Sequence, residues 1–283
     1  MRQAKGSGDL HLNQERNSEP LLNDSRQRQR PEVNIFWFRR DLRLKDNHGL
    51  SKALRGSYPV VPLFVFDRNI LDSCAPDDGR VSFIHEQISQ IKEELKSWGG
   101  DLKVHYGTAE QAIKELQQEF DVKHLICNRD YEPYALTRDL AIKRLCEEHN
   151  IGFHQFKDQV IFEMDEIVKD DGKPYVVYTP YSKKWLKALE TNPLTEYPVE
   201  KHKANLPPGD LGAMPSLEDM GFKPSAHKVL PYDYSPVMAQ NYQGQRNFPG
   251  LTKGTSKLSP HLRFGSVSVR QIVRALLPIE DIT

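Results

Sequence analysis

The chain has 283 residues, enough for one large domain or two ordinary ones, and its 38% hydrophobic and 28% charged content is that of a somewhat polar globular protein. Lys and Arg (39) balance Asp and Glu (39), so overall charge offers no argument for a nucleic acid partner, and any such contact has to come from a local patch. Three scattered cysteines, Cys74, Cys127 and Cys146, make neither a CxxC pair nor a Cys/His ligand spacing, which argues against a disulfide framework and a metal site; with no apolar run near the roughly 18 to 20 residues of a membrane span and no signal peptide, a soluble, cytoplasmic chain is expected.

Residues 1–32 are rich in Gln, Asn, Ser, Arg and Glu, carry only Leu21-Leu22 as an apolar cluster, and are expected to be a disordered extension. From Val33 the pattern alternates strand and helix. Residues 33–38 and 60–66 are nearly continuous apolar runs, as strands buried on both faces should be. Val81, Ile84, Ile88, Ile91 and Leu95 keep helical spacing, 102–106 reads as a strand, and Ala109, Ala112, Ile113, Leu116 and Phe120 mark another helix. A strand at 124–128, a helix at 136–149 and a strand at 152–156 complete the series. This order predicts a Rossmann-like, doubly wound five-stranded parallel sheet over residues 33–165.

The first strand runs into Arg39-Arg40-Asp41-Leu42-Arg43, with no GxGxxG after it. These arginines either meet a ligand at the carboxyl end of the sheet or pair with Asp41, Asp46 and their neighbours to lock the loop. Asp170-Asp171-Gly172 between Ile167-Val168 and residues 175–178 reads as a hairpin, and Thr179-Pro180 as the cap of a helix through Trp185 and Leu189. The tyrosines and Trp185 there, near Lys183 and Lys184, suit core packing and interdomain contact better than stacking on nucleic acid. Residues 190–236 are rich in Pro, Gly and charge and read as part of an interdomain connector over 166–236.

The end of the chain, 237–283, reads as the beginning of a helical domain. Ser259 and Pro260 suit an N-cap and a first helical residue, Gly265 a left-handed stop, and Ser268 with Gln271 a capping box. The hydroxyls of Thr255, Ser256 and Ser259 with the cation of Lys257 would suit a phosphate or diphosphate, or would merely cap helices.

Two segments decide between such readings. Residues 242–249 with Gly254-Thr255-Ser256-Lys257-Leu258-Ser259-Pro260-His261-Leu262-Arg263-Phe264-Gly265, and Phe36-Trp37-Phe38-Arg39-Arg40-Asp41-Leu42-Arg43-Leu44 with Asp46-Asn47, resemble the DNA photolyase and cryptochrome family. Within it they look most like the bacterial enzymes for cyclobutane pyrimidine dimers, the deoxyribodipyrimidine photo-lyases. The resemblance implies FAD held by Tyr242, Thr255, Ser256, Lys257, Leu258 and Ser259, and UV-damaged DNA met by Arg246. It implies light-driven electron donation from reduced flavin to a flipped dimer in a monomeric protein. A cryptochrome-like photoreceptor or a (6-4) photolyase is the alternative. The resemblance also implies an antenna chromophore near the first loop. Where folate-using members carry Asn-Glu this chain has Tyr134-Ala135, so folate is not expected, and a deazaflavin, a second flavin or none remains. No metal site is expected. The catalytic groups are expected beyond Thr283, so the chain reads as C-terminally incomplete and, alone, as neither holding FAD tightly nor repairing DNA.

Overall fold

A computed structural model describes residues 30–248 and 250–279; most of the expected extension, 1–29, lies outside the described residues. Five strands, β1 (Glu32–Phe38), β2 (Val60–Asp67), β3 (Lys103–Gly107), β4 (Asp121–Asn128) and β5 (Gly152–Phe156), form one all-parallel sheet of order β3-β2-β1-β4-β5. The connecting helices are α1 (His48–Leu54), the single-turn α2 (Arg68–Leu71), α3 (Gly79–Ser97), α4 (Ala109–Glu119) and α5 (Pro133–Glu148). The central strands β1 and β2 are buried almost throughout, which explains their unbroken apolar sequence.

Alternate residues feed two cores. Phe36, Phe38, Phe64 and Phe66 pack with Leu50, Leu54, Ile88 and Leu95 on the α1 and α3 side; Ile35, Trp37, Val61 and Leu63 pack with Ile113, Leu116 and Ile142 on the α4 and α5 side. Each such side chain contributes about 1.5 to 3 kcal/mol on burial. Local caps set the helix starts: Asn47 accepts from the Leu50 amide, Asp78 from the Arg80 amide, and Thr108 with Gln111 forms a complete capping box on α4.

Beyond the sheet come α6 (Tyr178–Thr191), a 3-10 turn (Val199–Asn205), α7 (Pro236–Gln245), α8 (Leu258–Phe264) and α9 (Val269–Leu276). The turn at Asp170-Asp171-Gly172 forms, with Gly172 at φ +78° and its amide donating to the Lys169 carbonyl, but its arms do not pair as strands. Val176 and Val177 are exposed and find no layer to pack on, which removes the reason for a ladder. Nor does Thr179 cap α6: the N-cap is Val177, and Thr179 and Pro180 fall within the first turn, where a missing amide costs nothing.

The segment 190–236 has little regular structure but is no free tether. Val199, Leu206, Met220 and Phe222 are buried in the core on the α1 and α3 side. Among the described residues no helix is long and apolar enough to cross a membrane.

Candidate functional site

The loop after β1 interlocks with the bend between α8 and α9. Arg39 grips both carboxylate oxygens of Asp139 at 2.5 and 2.6 Å and donates to the Asn128 carbonyl. Arg40 reaches Asp130 (3.2 Å), Glu132 (3.0 Å) and the Arg263 carbonyl (3.0 Å), while Arg43 reaches Asp158 (2.7 Å) and the Gly265 carbonyl (3.0 Å). All three arginines lock structure, through carboxylates far off in the chain and not through the Asp41 and Asp46 side chains, and Arg39 and Arg40 also line a second cavity described below.

Gly265 is the hinge of this lock. It sits at φ +66°, and a Cβ there would run into the Arg40 carbonyl and the Asp41 backbone. The Leu42 amide donates to the Phe264 carbonyl at 3.0 Å. From α9, Arg270 pairs with Asp158 at 2.8 Å, and Ser268, which caps α9 through the Gln271 amide, also donates to Asp46. Burial alone would raise the Asp158 carboxyl; the cations of Arg43 and Arg270 outweigh it and hold the group below the ordinary aspartate value.

Fixed in this way, α8 forms one side of a cleft. Tyr242, Thr255, Ser256, Lys257, Leu258 and Ser259 all line this single cavity of about 650 Å³, joined by Lys228, Val229 and Leu230 from the preceding segment and by Pro260 and Leu262. The lining contains no carboxylate and two lysines, one of which, Lys228, also pairs with Glu86 at 2.7 Å. Arg246 does not join the group: it ends α7, exposed, and is absent from the lining.

The helix entrance differs from the sequence expectation. Lys257, at φ +56°, is the N-cap of α8, so Ser259 and Pro260 become the second and third helical residues. The left-handed turn at Lys257 swings the chain into the helix early, and the Asp233 amide holds the preceding Ser256 carbonyl at 2.9 Å. Ser259 thus caps nothing, and α8 has no side-chain cap at all. Among the described residues the hydroxyls of Thr255, Ser256 and Ser259 and the Lys257 ammonium have no hydrogen-bond or ion-pair partner. The stop at Gly265 is as expected.

The opposite wall was not legible from local pattern, because it comes from the aperiodic connector. His261 ties it on: its Nε2 lies 2.9 Å from the Leu230 carbonyl and its Nδ1 2.9 Å from the Ser266 hydroxyl. Its ring packs edge-on against Phe83 and Tyr232.

A second cavity, of about 480 Å³, opens at the carboxyl ends of β1 and β2 and reaches the loop after β4. This is where the strand order reverses and where open α/β sheets take ligands. Tyr134 donates to Asp67 at 2.5 Å across it, and Arg138 lies over both Trp37 and Tyr134. Burial and the bond to Asp67 push the Tyr134 phenol up to about 12, so it stays a neutral donor. Among the described residues no group of three or more His, Cys, Asp or Glu side chains could hold a metal ion.

A doubly wound parallel sheet with one cavity at its switch point, continued into helices that carry a cleft lined by Lys228 and Lys257 and without a carboxylate, defines an α/β protein of Rossmann-like topology. The sequence pattern of the DNA photolyase family matches residues 34–201, more than half of the chain, and the chain belongs to that family. It is 31% identical over 257 residues to a deoxyribodipyrimidine photo-lyase of Synechococcus sp. strain PCC 6301, covering 85% of this chain and 53% of that protein. It is also 31% identical over 255 residues to an uncharacterized 31.6 kDa protein of Synechococcus sp. strain PCC 6716, covering 85% and 87%. Among solved structures it is similar to a bacterial class III photolyase of Agrobacterium tumefaciens, with a TM-score of 0.68 at 25% identity over 90% of this chain and 54% of that one. The chain thus spans about half the length of the photo-lyases it matches.

Proposed function

We propose that the cleft beside α8 receives the diphosphate of FAD, and that the chain is the first half of a light-driven enzyme that repairs cyclobutane pyrimidine dimers in DNA. The observation that carries this is the convergence of six residues, from Tyr242 to Ser259, on one cavity. The donor set fits the group: three hydroxyls without partners and an ammonium, with no carboxylate to repel an anion. In this reading the hydroxyls and Lys257 bind the phosphates, Tyr242 packs on the cofactor or hydrogen-bonds to it, and the backbone at Leu258 closes the bend. When bound, FAD supplies a one-electron donor excited by light. Arg246, exposed at the end of α7, is free to meet a DNA phosphate beside the lesion. In this reading the catalytic groups come from a part of the protein corresponding to the half of those relatives that this chain does not match. The cavity at the switch point is the natural seat of a second, antenna chromophore, and Tyr134-Ala135, where folate-using members carry Asn-Glu, leave a deazaflavin, a second flavin or none there.

The test is to replace Thr255, Ser256 and Ser259 together by Ala in a version carrying the second half, and to titrate it and its parent with FAD by fluorescence quenching. Since none of the three caps a helix, the melting temperature is expected to hold. Loss of even one hydrogen bond to a charged phosphate, about 1.5 to 3 kcal/mol, should weaken FAD at least tenfold. Equal FAD affinity in the triple variant and the parent would remove the diphosphate from this cleft. Illumination of dimer-containing DNA by a version carrying the second half separates repair from a photoreceptor role: turnover supports repair, and FAD binding without turnover overturns it.

A further inference from the structure

At the opposite end of the sheet from both cavities, β4 and β5 bring two imidazoles together. His124 on β4 has Gly152 as its Cα partner on β5, and His154 comes two residues later, on the same face. His154 Nε2 and His124 Nδ1 lie 3.1 Å apart, and the ring centroids 5.1 Å apart. Gly152 makes the approach possible. A Cβ there would run into His124 Nδ1 and would stand 3.0 Å from His154 Nε2, so any other residue would push the two rings apart.

The separation suits a shared ion. Two imidazole nitrogens on one Zn²⁺ at the usual 2.0 to 2.1 Å stand about 2.8 to 3.4 Å apart when they subtend a right or tetrahedral angle. His154 is exposed and His124 half-buried, so an ion can enter from solvent. Asn34, the Cα partner of His124 on β1, has a buried Oδ1 without a hydrogen-bond partner among the described residues.

We propose that His124 and His154 form an exchangeable site for a borderline dication of the Zn²⁺ or Ni²⁺ type, with water completing the coordination. Imidazole suits these metals, and two protein ligands leave the remaining positions open. The ion would clip the edge strand β5 to β4. No redox or group-transfer step is involved; each ring contributes one nitrogen lone pair.

The experiment is a calorimetric titration of the tag-free chain with Zn²⁺ and with Ni²⁺, repeated on H154Q, H124Q and, as a control on another exposed histidine, H149Q. One ion per chain is expected in the parent and in H149Q, weakened about tenfold or more in H154Q and H124Q. Saturating Zn²⁺ should raise the melting temperature of the parent and leave that of H154Q unchanged, because only a ligand of the folded state stabilises it. H154Q alters an exposed side chain, so its fold is expected to survive and the comparison stays interpretable. No uptake by the parent, or uptake by H154Q and H124Q equal to that of the parent, would reduce the pair to a hydrogen-bonded couple and overturn the site.

Discussion

Asp158 shows what a single buried charge does here. Its side chain is fully buried between Arg43 and Arg270, and its Oδ1 also accepts from the His48 amide at 3.1 Å. Asp158→Asn leaves the buried Arg43 guanidinium without its anion and Arg270 with only the Asp46 carboxylate at 3.4 Å, and a loss of about 3 kcal/mol in urea unfolding is expected. The pH dependence has a definite sign. A carboxyl whose folded pKa is depressed contributes stability that is fully present above the unfolded value, about 4, and is lost as pH falls through the lower folded value. The gap between the parent and D158N should therefore be widest at neutral pH and close on acidification; a gap independent of pH would mean that shape and not charge was lost. At Gly265 an Ala meets both a positive φ and the Arg40 carbonyl, and a destabilisation above about 2 kcal/mol is expected by the same measurement. The types of these residues were legible in Arg39-Arg40-Asp41-Leu42-Arg43. Their partners were not, because Asp139, Asp158 and Arg270 stand 100, 115 and 227 positions from Arg39, Arg43 and Arg43 in the chain, and no local pattern carries such a pairing.

At the scale of elements, the strands and the long helices were readable because burial on two faces leaves an apolar run and burial on one face leaves a helical stripe. The helix α1 escaped, its seven residues being too few for a clear period, although Asn47 marked its start. The connector escaped for a different reason. Val199, Leu206, Met220 and Phe222 are single anchors spaced by Pro and Gly, and each drops into the core without any period. Phe222→Ala is therefore expected to cost about 3 to 5 kcal/mol, as a core position does, where a substitution in a solvated linker would cost almost nothing. Differential scanning fluorimetry decides between them. The bend at 254–259 was legible as a place rich in hydroxyls, yet its helix entrance was misread, since a left-handed Lys257 has no signature comparable to that of glycine.

Across the whole molecule, residues far apart in sequence share one lock. The Leu42 amide donates to Phe264, and Arg43 meets Gly265, Asp158 and, through it, Arg270. A version ending before Leu258 loses the acceptor of the Leu42 amide, and native-state hydrogen exchange at Leu42 should quicken at least tenfold while amides at the centre of β1 stay protected. Unchanged protection at Leu42 would mean that the sheet closes its own loop. The lock also sets an order of events during synthesis. A ribosome delivers Arg43 more than two hundred residues before Arg270, so the nascent α/β half waits, with its first loop only partly latched and Asp158 held by Arg43 without Arg270, until α8 and α9 emerge from the exit tunnel.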